Sequence, residues 1–211
     1  MRPAAAQTAL YSSRVDQLVA QLRDEVSLPR VPHGHPAVVL MMGLPGVGKT
    51  HVARLVAARI GAAHVASDEL RSRLCIAASC TAAENAVVFG CLDRLVVELL
   101  GVGHRVVADA MNLQGRSRAA TEESARRLSV PLVHLHVTAE DSLVRRHLER
   151  RRIAREAGDH SDADERVYER MAARAFEPPP AGYLEVRNGD ALDEQIARVV
   201  AAVEDACARG S

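Results

Sequence analysis

The segment Gly43-Leu44-Pro45-Gly46-Val47-Gly48-Lys49-Thr50 constrains this chain more than any other stretch. It follows an apolar run, Ala37 to Met42, and precedes apolar residues at helical spacing, so G-x-x-x-x-G-K-T reads as the loop of a strand–loop–helix unit. Gly43, Gly46 and Gly48 let the backbone curl until its N–H groups point inward, and the positive end of the following helix adds to that field. A nest of this kind holds phosphate oxygens. Lys49 supplies a compact cation to the outer phosphates, and Thr50 offers a hydroxyl to Mg²⁺. Composition sharpens the point, because 26 of the 27 basic residues are arginine and Lys49 is the sole lysine.

Around this loop, apolar runs alternate with helical patterns. Strands are expected at 37–42, 62–67, 105–109, 131–137 and 183–187, and helices at roughly 49–60, 68–77, 82–100, 115–128, 140–157, 162–175 and 190–208. Strands apolar on both faces and separated by helices predict an α/β fold, a parallel sheet covered on both sides. Before it, Val15, Leu18, Val19, Leu22 and Val26 recur at helical spacing, and Pro29 to Pro36 form a Pro/Gly/His linker that ends this pattern. The expected organisation is a helical extension over 1–36 and one domain over 37–211.

Several function classes are disfavoured. Lys plus Arg equals Asp plus Glu at 27 each, so no chain-wide field attracts polyanions. Five aromatic residues and no Trp leave few parts for a base-stacking platform. No apolar stretch reaches the ~20 residues of a membrane helix, and no secretory signal is readable. A cytoplasmic monomer is expected. Cys75, Cys80, Cys91 and Cys207 lack metal-ligand spacing and read as reduced thiols. His134 and His136 share one strand face but have no third ligand in register. A single lysine leaves no room for a separate NKxD guanine-reading motif, and Asp109 is followed by Ala110, not by the second acid a AAA+ motor uses to activate water. Phosphoryl transfer to a small acceptor remains.

Ser67-Asp68-Glu69-Leu70-Arg71 follows the second strand, so Asp68 falls at the carboxyl edge of the sheet with the glycine loop and Asp109. A carboxylate there can orient an attacking hydroxyl and take its proton, and Arg71 can hold an anionic part of the acceptor. The competing reading is that Ser67 or Asp68 caps a helix. Residues 145–155 carry six arginines opposed by one acid, Glu149, and place Arg146 and Arg150 at i,i+4. Such a helix can bring cations to a γ-phosphate, and a lid over about 140–175 is expected.

Taken together, GLPGVGKT, SDELR, VVADAMNL, LVRRHLER and the Tyr168–Pro179 segment resemble the P-loop kinases grouped with the kinase domain of phage polynucleotide kinase and with zeta-toxin-like small-molecule kinases. The resemblance implies a three-layer P-loop NTPase fold with a five-stranded parallel sheet of order 2-3-1-4-5 and a helical lid. It implies ATP and Mg²⁺ as co-substrates, with Thr50 and Asp109 at the metal. Asp68 would be the general base, and Lys49, Arg146 and Arg150 would serve the phosphates. Arg71, Asp109 and Asn112 would lie toward the acceptor. The expected activity is transfer of the γ-phosphate to a hydroxyl of a small, anionic acceptor. The alternatives are a 5′-hydroxyl polynucleotide kinase, which would make nucleic acid a partner, and a regulator that binds ATP and turns it over slowly.

Overall fold

Strand β1 (Val38–Met42) is buried along its whole length and lies at the centre of the sheet. In the computed structural model, which describes residues 15–17, 19–21, 35–74, 81–154, 165–173 and 176–209, the chain continues through α1 (Lys49–Ile60), β2 (Ala62–Ala66), α2 (Ser67–Leu74), α3 (Ala82–Gly101), β3 (Arg105–Asp109), α4 (Gly115–Arg127), β4 (Leu132–Ala139), α5 (Asp141–Ala154), α6 (Glu165–Ala172), β5 (Leu184–Asn188) and α7 (Leu192–Arg209). The strands are parallel in the order β2-β3-β1-β4-β5, the expected 2-3-1-4-5 sheet. Val38 registers with Val106 of β3 and Leu132 of β4, so β1 is flanked on both sides by apolar strands.

Each sheet face has its own core because side chains alternate along a strand. On one face Val38, Leu40, Val106 and Ala108 pack with Leu92, Leu95, Val96 and Leu99 of α3 and with Leu70 and Leu74 of α2. Val39, Met41, Val107, Leu135 and Val186 face the other way, onto Val52, Val56 and Ile60 of α1 and Ile196, Val199 and Val203 of α7. Val144 and Leu148 of α5 belong to this second cluster, which seats the arginine-bearing helix beside the glycine loop.

Helix ends follow local chemistry. Glu84 N donates to Thr81 Oγ1 at 3.2 Å and Thr81 N to Glu84 Oε2 at 3.1 Å, a capping box that starts α3. Expected and observed elements agree to within a few residues at most ends; the stretches 75–80 and 155–164, where two helices were expected to end and one to begin, lie outside the described residues. Of the N-terminal extension, residues 15–17 and 19–21 are helical, Val19 is 2% exposed against the α3 cluster, and Asp16 pairs with Arg94. Cys91 and Cys207 are buried thiols; burial pushes Cys91 up to about 11, against the opposing charge of Arg94. No helix among the described residues is long and apolar enough to cross a membrane.

At the opposite edge of the sheet from the glycine loop, Arg105 locks β3 to α7. Its guanidinium is 4% exposed, donates to Glu204 at 2.6 and 2.8 Å, and also reaches Ile60 O and His35 O at 3.3 Å. Glu204 is half exposed, so water screens part of the attraction. Arg105→Leu strands the buried Ile60 carbonyl and leaves Glu204 without its partner, and is expected to cost about 2 kcal/mol, whereas Glu204→Gln, which keeps an acceptor, is expected to cost about half as much. Urea unfolding of the three proteins checks that order.

Candidate active site

The glycine loop leaves β1 where no other residue would fit. Gly43 has φ +149°, its N–H donates to Met111 O at 3.0 Å, and a Cβ there would lie 2.5 Å from Val137 O, a backbone atom of β4 that cannot move aside. At the other end Gly48 is left-handed, φ +87°, and a Cβ would fall 2.1 Å from Asn188 Nδ2. Between them Gly43, Leu44, Pro45, Gly46, Val47, Gly48, Lys49 and Thr50 form one turn ahead of α1, which Lys49 and Thr50 begin. Lys49 Nζ donates to Leu44 O at 3.2 Å, curling the side chain back over the loop.

Asp109 closes the floor of the crevice. It ends β3, in register with Ala66 of β2, and is 4% exposed. Burial by itself would raise its carboxyl. The His64 hydrogen bond, the nearby charges of Lys49 and His64, and a hydrogen bond from Thr50 outweigh burial and hold it below the usual carboxylate range. His64 Nε2 lies 3.1 Å from Asp109 Oδ2. A carboxylate only accepts, so Nε2 carries the proton and donates.

Thr50 and Asp109 are hard oxygen donors that already meet, which suits Mg²⁺. Among the described residues no three His, Cys, Asp or Glu could hold a metal by themselves. The donor set therefore fits an ion that brings phosphate oxygens and waters with it, the habit of Mg²⁺ and not of a protein-caged metal.

Asp68, exposed, is the second residue of α2, two positions beyond the Ala66–Asp109 register pair, so it stands at the same edge. Arg71 follows one turn later; its Nη2 donates to Asn85 Oδ1 at 2.6 Å, while its Nη1 is buried with no partner among the described residues. Asn112 lies beneath the crevice: it is 3% exposed, left-handed with φ 47°, and donates Nδ2 to Met41 O at 3.0 Å. Its carbonyl accepts from Arg118, the largest fully buried side chain, which also contacts Glu122, the partner of His134 at 2.9 Å. Asn112 thus braces the loop that receives Gly43. His136 stacks under Phe176 with ring centroids 4.3 Å apart, and burial lowers its pKa against the opposing charge of Glu185.

Arg146 and Arg150 are exposed on the face of α5 turned away from the one that carries Val144 and Leu148. The face that meets the loop bears His147, whose Nδ1 lies 2.8 Å from Gly46 O. His64, His147 and Asn188 were not anticipated. His64 sits inside an ordinary strand pattern, His147 inside an arginine run, and Asn188 at the end of the last strand, and only folding brings them to the loop.

Because the folded-state pKa of Asp109 is depressed, its ionised form contributes stability above the unfolded value of about 4. That contribution is lost as pH falls through the lower, folded value. The unfolding free energy of wild type minus that of Asp109→Asn is therefore expected to shrink as pH falls from about 5 and to close below about pH 4. Urea titrations across that range measure it.

The chain matches AAA_33, a family described as an AAA domain, over residues 38–179. No curated protein matches the sequence. Among solved structures, Kti12 of Chaetomium thermophilum in complex with ADP-AlF3 is similar at TM-score 0.62 and 22% identity, covering 81% of this chain and 98% of that one. The APS kinase CysC of Mycobacterium tuberculosis in complex with AMPPNP and APS is similar at 0.56 and 21%, with coverage of 81% and 98%. A gluconokinase from Sinorhizobium meliloti 1021 is similar at 0.59 and 15%, with coverage of 83% and 95%. These likenesses establish a shared P-loop NTPase fold. Matched from the first residue of β1 through the Glu177–Pro179 segment, the chain belongs to the AAA_33 family of AAA domains.

Proposed function

We propose that this protein is an ATP-dependent kinase that transfers the γ-phosphate to a hydroxyl of a small, anionic acceptor. The observation that carries the reading is the meeting of Lys49, Thr50 and an ionised Asp109 under the glycine loop, with Asp68 and Arg71 at the same sheet edge. In that arrangement the loop N–H groups and Lys49 bind the nucleotide phosphates. Thr50 and Asp109 would hold Mg²⁺, which when bound supplies charge neutralisation at the phosphate oxygens. Asp68 accepts the proton of the acceptor hydroxyl as its oxygen bonds to the γ-phosphorus and the bridging bond to ADP breaks.

The acceptor's charge follows from Arg71. A guanidinium with one nitrogen buried and unpartnered among the described residues is costly to leave that way, and a carboxylate or phosphate oxygen satisfies it. The similar solved structures include proteins named as an APS kinase, a gluconokinase and a sugar kinase, which supports a small acceptor. Zero net charge supports a small molecule over a nucleic-acid end, since polyanion binding draws on a long-range positive field.

Label transfer from γ-labelled ATP to pooled sugars, nucleosides, amino acids and sulfated or phosphorylated alcohols, run beside 5′-hydroxyl oligonucleotides, tests the reading. A labelled small product is expected. Efficient labelling of oligonucleotides alone would replace it with polynucleotide kinase activity, and free phosphate with every acceptor would make the protein a nucleotide hydrolase or switch. On the acceptor so found, Asp68→Asn is expected to lower kcat by about two to four orders of magnitude with little change in ATP affinity. Lys49→Met is expected to abolish turnover and to shrink the thermal stabilisation by Mg·ATP, and to lower the ligand-free unfolding midpoint as well, because buried Asp109 loses a compensating charge.

A further inference from the structure

A phosphate-binding loop with three glycines has a problem of its own: each of its peptide units can flip at small cost. A flipped unit turns a carbonyl oxygen, not an N–H, toward the phosphates. In a trans peptide unit the C=O and N–H point in opposite directions. Anchoring a carbonyl from outside the loop therefore aims the N–H of the same unit at its inside.

Two consecutive units are anchored in this way. The Gly46 carbonyl, which shares its unit with the Val47 N–H, lies 2.8 Å from His147 Nδ1 of α5. The Val47 carbonyl, which shares its unit with the Gly48 N–H, accepts from Asn188 Nδ2 at 2.9 Å. Both carbonyls can only accept, so Nδ1 of His147 carries a proton and the Asn188 amide is turned with its NH2 toward the loop. Neither clamp is local: the partners are 101 and 141 residues away in sequence. Both are backed by packing. Val144 Cγ1 and Leu148 Cγ stand 3.0 and 3.1 Å from where a Cβ of Gly46 would be, and the Asn188 side chain fills the space a Cβ of Gly48 would need. Asn188 is itself 9% exposed, so its amide has little access to water as an alternative partner.

We propose that His147 and Asn188 are positioning residues for nucleotide binding, a pair of clamps from α5 and β5 that hold the Gly46–Val47 and Val47–Gly48 peptide units with their N–H groups facing the phosphates. The proposal rests on the reading of residues 43–50 as a nucleotide phosphate cradle. It also ties affinity for nucleotide to the seating of α5, the helix that carries the arginines.

Mg·ADP binding by calorimetry, with the ligand-free unfolding midpoint of every protein, is the test. His147→Leu keeps bulk without a donor, and His147→Asn puts an amide nitrogen near the position of Nδ1. Asn188→Asp keeps shape and removes the donor. His147→Leu and Asn188→Asp are each expected to weaken Mg·ADP by roughly tenfold, the loss of one well-placed hydrogen bond. His147→Asn is expected to recover most of that loss. Because a carboxylate buried at 188 can impair folding, the two His147 variants decide the matter by themselves. Unchanged affinity in a folded His147→Leu, or equal losses in His147→Leu and His147→Asn, overturns the clamp and leaves only a packing role. Absence of Mg·ADP binding by the wild type would overturn the cradle reading itself, and the clamp with it; binding by the wild type with unaffected variants removes the clamp alone.

Discussion

Burying the carboxylate of Asp109 at the end of a central strand is the constraint to which the crevice answers. A charge that is 4% exposed needs compensation from several sides. Here it comes from two separate pieces of chain: His64 from β2, and Lys49 and Thr50 from the first turn of α1. The parallel register that sets Ala66 opposite Asp109 brings these pieces to one place, and it needs β1 between β3 and β4 to do so. The order of strands and the charge state of one carboxyl are thus parts of the same arrangement.

The glycine loop answers to a second requirement, that flexible backbone be stiffened by its surroundings. Gly43 is pressed between Met111 O, its hydrogen-bond acceptor, and Val137 O, which leaves no room for a side chain. Asn112 and the buried Arg118 hold the receiving loop in turn, through Met41 O and the Asn112 carbonyl. From the other side α5 presses Val144, His147 and Leu148 onto Gly46. The first two turns of this helix are therefore part of the wall of the site, which limits how far the arginine helix can swing as a free lid.

Much of this was legible beforehand. The loop was readable because its chemistry depends on residue types at fixed spacing within eight consecutive positions, with a strand before and a helix after. The sheet order followed from the resemblance that GLPGVGKT and SDELR carry, and the strands themselves from continuous apolar runs such as Val38 to Met42, which are buried on both faces. The resemblance placed Asn112 toward the acceptor; its left-handed backbone and its buried amide, which donates to Met41 O, give it a bracing part under the crevice that no spacing encodes.

What the sequence determined by itself was the local chemistry: a glycine-rich turn suited to phosphate, five strands, carboxylates at strand ends and a helix rich in arginine. Each of these is a pattern of neighbours in the chain, and short-range sterics and hydrophobic periodicity suffice to produce it. Tertiary structure alone decided which distant side chains complete those patterns. His64 meeting Asp109, His147 meeting Gly46 O and Asn188 meeting Val47 O join positions 45, 101 and 141 residues apart. Likewise it decided that Arg146 and Arg150 lie on the outer face of α5, because Val144 and Leu148 had the stronger claim on the core. Burial of apolar area sets how a helix rolls onto a sheet, and charged side chains take the directions that remain.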